Sequence, residues 1–233
     1  MKVIATTRTL NEEKNVGRFI QSYNWADEVL IVDGGSEDNT VSIVNDYDYA
    51  FVKSFLERVE LKAGYWRNPH GRHINTCIDW AIERGADWII FDDCDCFPNK
   101  TLREQGRDVL LDSPADVVFV TRLYLWGYTA HFPKLAKPTG KDWCPSIWAW
   151  RADTKIRASE KDPLVHDISV RERPDLPQQR LMPPYCLLHY YCPDEETVQR
   201  KLKKYREGGQ HPSLLHPKNA GGKMDILPEW ARL

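Results

Sequence analysis

The chain has 233 residues, 42% hydrophobic and 28% charged, which is enough apolar material for a sizeable core and argues against disorder. Its net charge of −2 gives no general attraction to nucleic acid or an anionic membrane. No run reaches the ~18 apolar residues of a membrane span, and the apolar start Val3-Ile4-Ala5 is too short for a signal peptide, so a cytoplasmic protein is expected. The cysteines (Cys77, Cys94, Cys96, Cys144, Cys186 and Cys192) form no C-x-x-C pair, which predicts free thiols and no structural zinc site.

The first half alternates strand and helix signals. Val3-Ile4-Ala5 reads as a short buried strand. Val16, Phe19, Ile20 and Tyr23 recur at helical spacing. Val29 to Val32 is a continuous apolar run, as in a strand covered on both faces, and it ends at the turn Asp33-Gly34-Gly35-Ser36. Thr40 to Asp46 predicts a short helix and Phe51 to Phe55 a strand. Ile74, Cys77, Ile78, Ala81 and Ile82 make an amphipathic helix that Gly85 stops. Trp88 to Phe91 is the next strand. This order predicts an α/β fold with a doubly wound, mostly parallel sheet and helices on both faces. Ligands gather beyond the carboxyl ends of such strands, which puts Asp33-Gly34-Gly35 and Asp92 to Asp95 on one rim.

The second half is less regular. Val117 to Val120 is a strand, and Leu123 to Tyr128 and Ser146 to Trp150 are two further candidates. Tyr124, Trp126, Tyr128, Trp143, Trp148 and Trp150 could stack on a sugar, although core packing is the commoner use of such side chains. A late helix is capped by Asp194, carries Lys203, Lys204 and Arg206 in its last turn and stops at Gly208. From Gln199 to Lys223 only Glu207 opposes the basic residues, so this stretch either faces an anion or is a solvated face.

The stretch "IIFDDCDCFP", residues 89–98, carries the chemistry. On an extended backbone Asp93 and Asp95 would point one way, and Asp92 and Cys94 the other. Neighbouring carboxylates repel, and a divalent cation relieves that repulsion. Oxygen ligands suit Mg²⁺ or Mn²⁺, which bridge to substrate phosphates. The bland alternative is a solvated acidic loop.

The company of this stretch is more specific. "TTRTLNEEKNVGRFIQSYNWADEVLIVDGGSEDNT", and later "RNPHGRHINTCIDWAIERGADWIIFDDCDC", resemble the family 2 glycosyltransferases of GT-A fold. The likeness covers Lys2 to Pro98, thins from Thr101 to Asp162, and returns weakly at "LVHD" and "LLHYYCPDEETVQRKLKKY". It implies a metal-dependent, inverting transfer from a nucleoside-diphosphate sugar, UDP-linked in most such enzymes. By position, Thr6, Thr7, Arg8 and Glu12 would line the nucleotide pocket. Asp33 would bind the base and Arg72 would reach the diphosphate. Asp93 and Asp95 match the D-x-D of the metal site. Asp95 would be the direct ligand, and Asp93 would hold the ribose or a metal-bound water. His189 would complete the metal shell, and Asp167 would be the catalytic base. The chain departs from the family in having Thr-Arg-Thr where a proline turn is usual, and His166-Asp167 where Glu-Asp is usual.

The resemblance also implies one domain over residues 1–233. Residues 1–98 would bind the donor, 99–206 would hold the acceptor and catalytic groups, and 207–233 would be an extension. A saccharide, lipid-linked or other hydroxyl acceptor fits the family; a nucleic-acid acceptor has no support from the net charge. Two rivals are weighed. A nucleotidylyltransferase would carry a Gly-rich basic loop after the first strand, where this chain has Thr-Arg-Thr-Leu-Asn-Glu-Glu. A non-catalytic nucleotide-sugar or glycan-binding module would have a broken carboxylate set, and here the set is intact.

Overall fold

A computed structural model describes residues 1–62, 65–126, 131–133, 145–161, 168, 173, 175–192, 196–197, 199 and 224–226. In chain order the elements begin β1 (Val3–Thr9), α1 (Val16–Ser22), β2 (Glu28–Asp33), α2 (Thr40–Val44), β3 (Ala50–Ser54), β4 (Val59–Lys62), β5 (Tyr65–Arg67), α3 (His70–Glu83) and β6 (Trp88–Phe91). They continue with β7 (Cys96–Pro98), α4 (Lys100–Asp112), β8 (Val117–Trp126), β9 (His131–Pro133), β10 (Pro145–Arg151), β11 (Gln178–Arg180), β12 (Cys186–Cys192) and β13 (Met224–Ile226).

The main sheet runs β3-β2-β1-β6-β10-β8-β12-β7, with β11 added beside β8. The first four strands are mutually parallel. β10 runs antiparallel to both β6 and β8, and β12 pairs parallel to β8 and antiparallel to β7. This is the expected doubly wound, mostly parallel α/β architecture, with β10 and β7 running against the other strands. Among the described residues no helix is long and apolar enough to cross a membrane.

Alternation along each strand explains why the runs are apolar throughout. Val3 and Ala5, Val29 and Ile31, and Trp88 and Ile90 pack on the face covered by α1 and α4. Ile4, Leu30 and Val32, and Ile89 and Phe91 pack on the opposite face with Ile74, Cys77, Ile78 and Ala81 of α3. A strand covered on both sides has no polar face to show. Trp148 and Trp150 are fully buried, one in each of these clusters, so they are core residues and not acceptor platforms.

Several elements differ from expectation. Val117–Val120 and Leu123–Tyr128 are one strand, β8, ending at Trp126. Thr121-Arg122 reads as a polar break because Arg122 has a charge partner on the rim. α4 gives little apolar signal, since only Leu102, Gly106 and Leu110 are buried, at i, i+4 and i+8. Asn99 caps it, its side chain accepting from Leu102 N–H at 3.1 Å. The β4–β5 hairpin and the short strands β7 and β11 were also not anticipated.

The start of α3 is pressed onto the segment after β10. A Cβ at Gly71 would overlap the Ser159 carbonyl oxygen and lie 2.8 Å from its carbon, both backbone atoms that cannot rotate away. Gly17, on α1, would meet only side-chain atoms, the nearest being Ile43 Cγ2 at 3.3 Å. Gly71→Ala is therefore expected to destabilise by about 1–3 kcal/mol through overpacking, read as a lower urea midpoint at unchanged m-value. Gly17→Ala is expected to cost less or to stabilise, because it removes a glycine from a helix.

Candidate active site

The rim forms where β1, β2 and β6 end. Thr9 lies opposite Asp33, and Thr6 opposite Phe91, so β1 continues past the end of β6. The chain leaving β2 turns at once around Asp33. Its Oδ1 accepts from Thr9 Oγ1 at 2.9 Å and Ser36 Oγ at 2.5 Å, and its Oδ2 accepts from the N–H groups of Gly35 and Ser36, both at 2.8 Å. The turn needs both glycines. Gly35 has φ +86, and a Cβ at Gly34 would lie 2.5 Å from Asn68 Oδ1 and 3.0 Å from the Thr9 carbonyl.

The loop after β1 is tied to this turn. Asn11 N–H donates to Ser36 Oγ, Glu37 N–H to Asn11 Oδ1, and Glu12 N–H to Thr40 Oγ1, each at 2.8 Å. Asn15 Nδ2 donates to Glu12 Oε2 at 2.8 Å. The N-E-x-x-N signature is thus a loop-to-loop fastening that places Glu12 at the rim.

The carboxylate stretch does not continue as an extended strand, which corrects the alternation expected for it. Cys96 N–H donates to the Asp93 carbonyl at 2.9 Å, closing a turn. Asp92 and Asp93 consequently share one cation instead of pointing apart. Arg122 Nη2 donates to Asp92 Oδ1 at 2.7 Å, and Arg122 Nη1 lies 3.7 Å from Asp93 Oδ2. Arg8 Nη2 reaches Asp93 Oδ1 at 3.3 Å. Burial pushes the Asp92 carboxyl up to about 6 despite the Arg122 guanidinium. Burial also raises the Cys94 thiol, and the charges of Glu12, Asp95, Asp93 and Asp38 add to that. Among the described residues Cys77, Cys94, Cys96 and Cys186 are free, buried thiols.

Asp95 turns the other way. His189, on β12, places Nε2 at 3.1 Å from Asp95 Oδ1. The backbone enforces this meeting, because His189 lies opposite Cys96 in the ladder and Tyr190 N–H donates to the Asp95 carbonyl at 2.8 Å. Two adjacent ligands of one octahedral cation, each about 2.1 Å from it, sit about 3 Å apart. At that distance the two groups are in direct hydrogen-bond contact, and they are also a carboxylate and an imidazole of the kind that would hold a Mn²⁺-type ion. Asp93 is engaged by the arginines instead, and among the described residues no three His, Cys, Asp or Glu side chains converge as a metal cage.

The remaining expected residues are placed as follows. Thr6 and Thr7 are fully buried; the Thr6 hydroxyl donates to the Leu30 carbonyl at 3.0 Å. Arg72 is half exposed and pairs with Glu57 and Glu160. Glu160 also accepts from Asn75 Nδ2 at 2.6 Å. Asp167 and the Lys203–Arg206 segment lie outside the described residues. Arg122 was missed, and its only signal was a lone charge inside an apolar run. His73 was missed too. It stacks on Phe55 at 4.5 Å and donates from Nε2 to the Val32 carbonyl at 2.8 Å, beneath the Asp33 turn.

Comparison with known proteins gives the family and the fold. The chain matches the family described as Glycosyl transferase family 2 over residues 7–170, and it belongs to that family. The match takes in Arg8, Glu12, Asp33, Asp93, Asp95 and Asp167, and ends before His189. No curated protein matches. Among solved structures, S. aureus TarS 1-349 is similar at TM-score 0.55 and 19% identity, covering 92% of this chain and 65% of that one. The same fragment in complex with UDP-GlcNAc gives 0.57 and 17%, covering 89% and 66%. A Bacillus anthracis protein, provisionally named a glucose-1-phosphate thymidylyltransferase, gives 0.50 and 11%, covering 91% and 100%. The chain thus has the GT-A fold and spans about two-thirds of the TarS fragment.

His73 makes the rim region sensitive to acid. Burial lowers its pKa from 6.5 to about 4, so the unfolded chain binds the extra proton between those values. The stabilisation from keeping His73 neutral is complete above about 6.5 and is lost as pH falls toward 4. At about 1.36 kcal/mol per unit the loss is on the order of 3 kcal/mol. Urea midpoints across this window are expected to fall more steeply for the wild type than for His73→Gln.

Proposed function

We propose that the protein is a metal-dependent, inverting glycosyltransferase that moves a sugar from a UDP-linked donor to an acceptor hydroxyl. The observation that carries the reading is the meeting of Asp95 and His189 beside the Arg8–Asp93–Arg122 cluster, at the carboxyl end of a parallel sheet in a family 2 chain. Relatives of the same fold support the donor class: TarS has been solved with UDP-GlcNAc and with UDP.

In this reading Asp33 and its turn, Glu12 and Arg8 bind the nucleotide end of the donor, over the buried floor that Thr6 and Thr7 provide. Asp93 holds the ribose side, and Arg72, at the start of α3, adds positive charge near the diphosphate. Asp95 and His189 hold Mn²⁺ or Mg²⁺, which when bound supplies Lewis-acid stabilisation of the leaving diphosphate. Asp167 accepts the proton of the acceptor hydroxyl. That oxygen forms its bond to the anomeric carbon as the bond from that carbon to the diphosphate oxygen breaks, and nucleoside diphosphate leaves. One such displacement inverts the anomeric centre. A saccharide or lipid-linked hydroxyl is the acceptor class that fits.

Two substitutions separate binding from transfer. Asp95→Ala is expected to abolish the Mn²⁺-dependent part of UDP binding in calorimetry. Asp167→Asn is expected to keep donor affinity and lower transfer at least ~10²-fold, the low end for a positioned general base. Release of nucleoside diphosphate supports transferase chemistry, whereas release of pyrophosphate would point to nucleotidyl transfer. Unchanged metal dependence in Asp95→Ala would remove the cation assignment.

A further inference from the structure

We propose that Arg18 is a positioning residue that sets the Asp95–His189 geometry; the proposal rests on the cation reading given above. Arg18 lies on α1. Its guanidinium carbon sits 4.4 Å from the ring centre of Phe97 and 4.3 Å from that of Tyr190. Its Nη2 donates to the Tyr190 hydroxyl at 2.9 Å. The two rings also touch each other edge to face, with centroids 5.4 Å apart. One cation therefore contacts two aromatic rings and is tied to one of them by a hydrogen bond.

The two rings belong to β12, which carries His189, and to β7, which directly follows Asp95. Tyr190 follows His189 directly on β12, and Phe97 lies two residues after Asp95 on β7. Leu188 is opposite Phe97 and His189 opposite Cys96, and Tyr190 N–H holds the Asp95 carbonyl. Any slip of β12 against β7 thus changes the His189–Asp95 distance. Metal sites tolerate only about ±0.2 Å in ligand position, and loss of an outer supporting partner typically costs 10–100-fold in metal affinity. Arg18 clamps the two strands from outside the sheet at this point.

α1 is well placed to hold the clamp steady. Its first turn follows the Asn11–Asn15 loop, which the Asp33 turn and α2 fix through Ser36 and Thr40. The Lys14–Glu196 pair at 3.2 Å is exposed and adds little. Arginine suits this place because its delocalised, multi-donor head can lie over an aromatic ring and still donate to the Tyr190 hydroxyl, which the compact ammonium of lysine does less well.

The test is calorimetry of Mn²⁺ binding to the full chain with UDP present, on wild type, Arg18→Met, Arg18→Lys, His189→Ala and Arg18→Met/His189→Ala, with urea midpoints as the folding check. Arg18→Met is expected to weaken Mn²⁺ binding at least ~10-fold, with metal-free UDP binding unchanged and Arg18→Lys only partly restoring it. In the His189→Ala background Arg18→Met is expected to add almost nothing. Unchanged Mn²⁺ affinity in Arg18→Met, or an effect that adds fully to that of His189→Ala, would overturn the proposal. If Arg18→Met does not fold, Arg18→Lys decides by the same comparison with its own double variant. If His189→Ala itself leaves Mn²⁺ affinity intact, the cation reading falls, and this proposal with it.

Discussion

A fully buried carboxylate at the end of β6 is tolerable only beside a cation, and Arg122 supplies it. Asp92 has no exposure, and removing one partner of such a pair typically costs about 3–5 kcal/mol. β10 lies between β6 and β8 in the sheet. Arg122 of β8 reaches across it to Asp92, its Nη2 donating to Oδ1 at 2.7 Å. The pair therefore ties the end of β6 to β8 across the antiparallel strand β10. Arg122 also reaches Asp93, and Arg8 does so from β1, so three strands converge on one short stretch of carboxylates.

The turn that follows divides the labour. With Asp92 and Asp93 held by arginines, the turn closed by Cys96 N–H sends Asp95 toward β12. The arginine side of the rim adjoins the Asp33 turn and the Asn11–Asn15 loop, where a nucleotide would lie. The other side adjoins His189. A diphosphate spanning the two would meet positive charge from Arg8 and a cation at Asp95. This division follows from the backbone turn, and an extended D-x-D would not produce it.

Much of the scaffold was legible in the sequence. Val29–Val32 and Trp88–Phe91 read as doubly covered strands because burial on both faces leaves no polar alternation. Asp33-Gly34-Gly35 read as a turn because close approach and positive φ demand glycine. α4 was not legible, since its contact face is narrow and includes a glycine. Arg122 looked like a strand break because its partner is 30 residues earlier in the chain and leaves no local pattern. His189 was reached through resemblance alone; nothing in "LLHYYC" reveals that antiparallel pairing with β7 brings it to Asp95. The alternation expected from Asp92 to Asp95 is absent because this segment is a turn and not extended backbone.

His189 and Asp95 are proposed to mark the cation position of a nucleotide-binding rim. Mn²⁺ is paramagnetic, so it broadens the NMR signals of nuclei close to it. With the histidine rings labelled and UDP present, substoichiometric Mn²⁺ is expected to broaden the His189 ring signals before those of His73, which sits under the Asp33 turn. Retention of sharp His189 signals at Mn²⁺ saturation, with binding verified by calorimetry, would contradict the account.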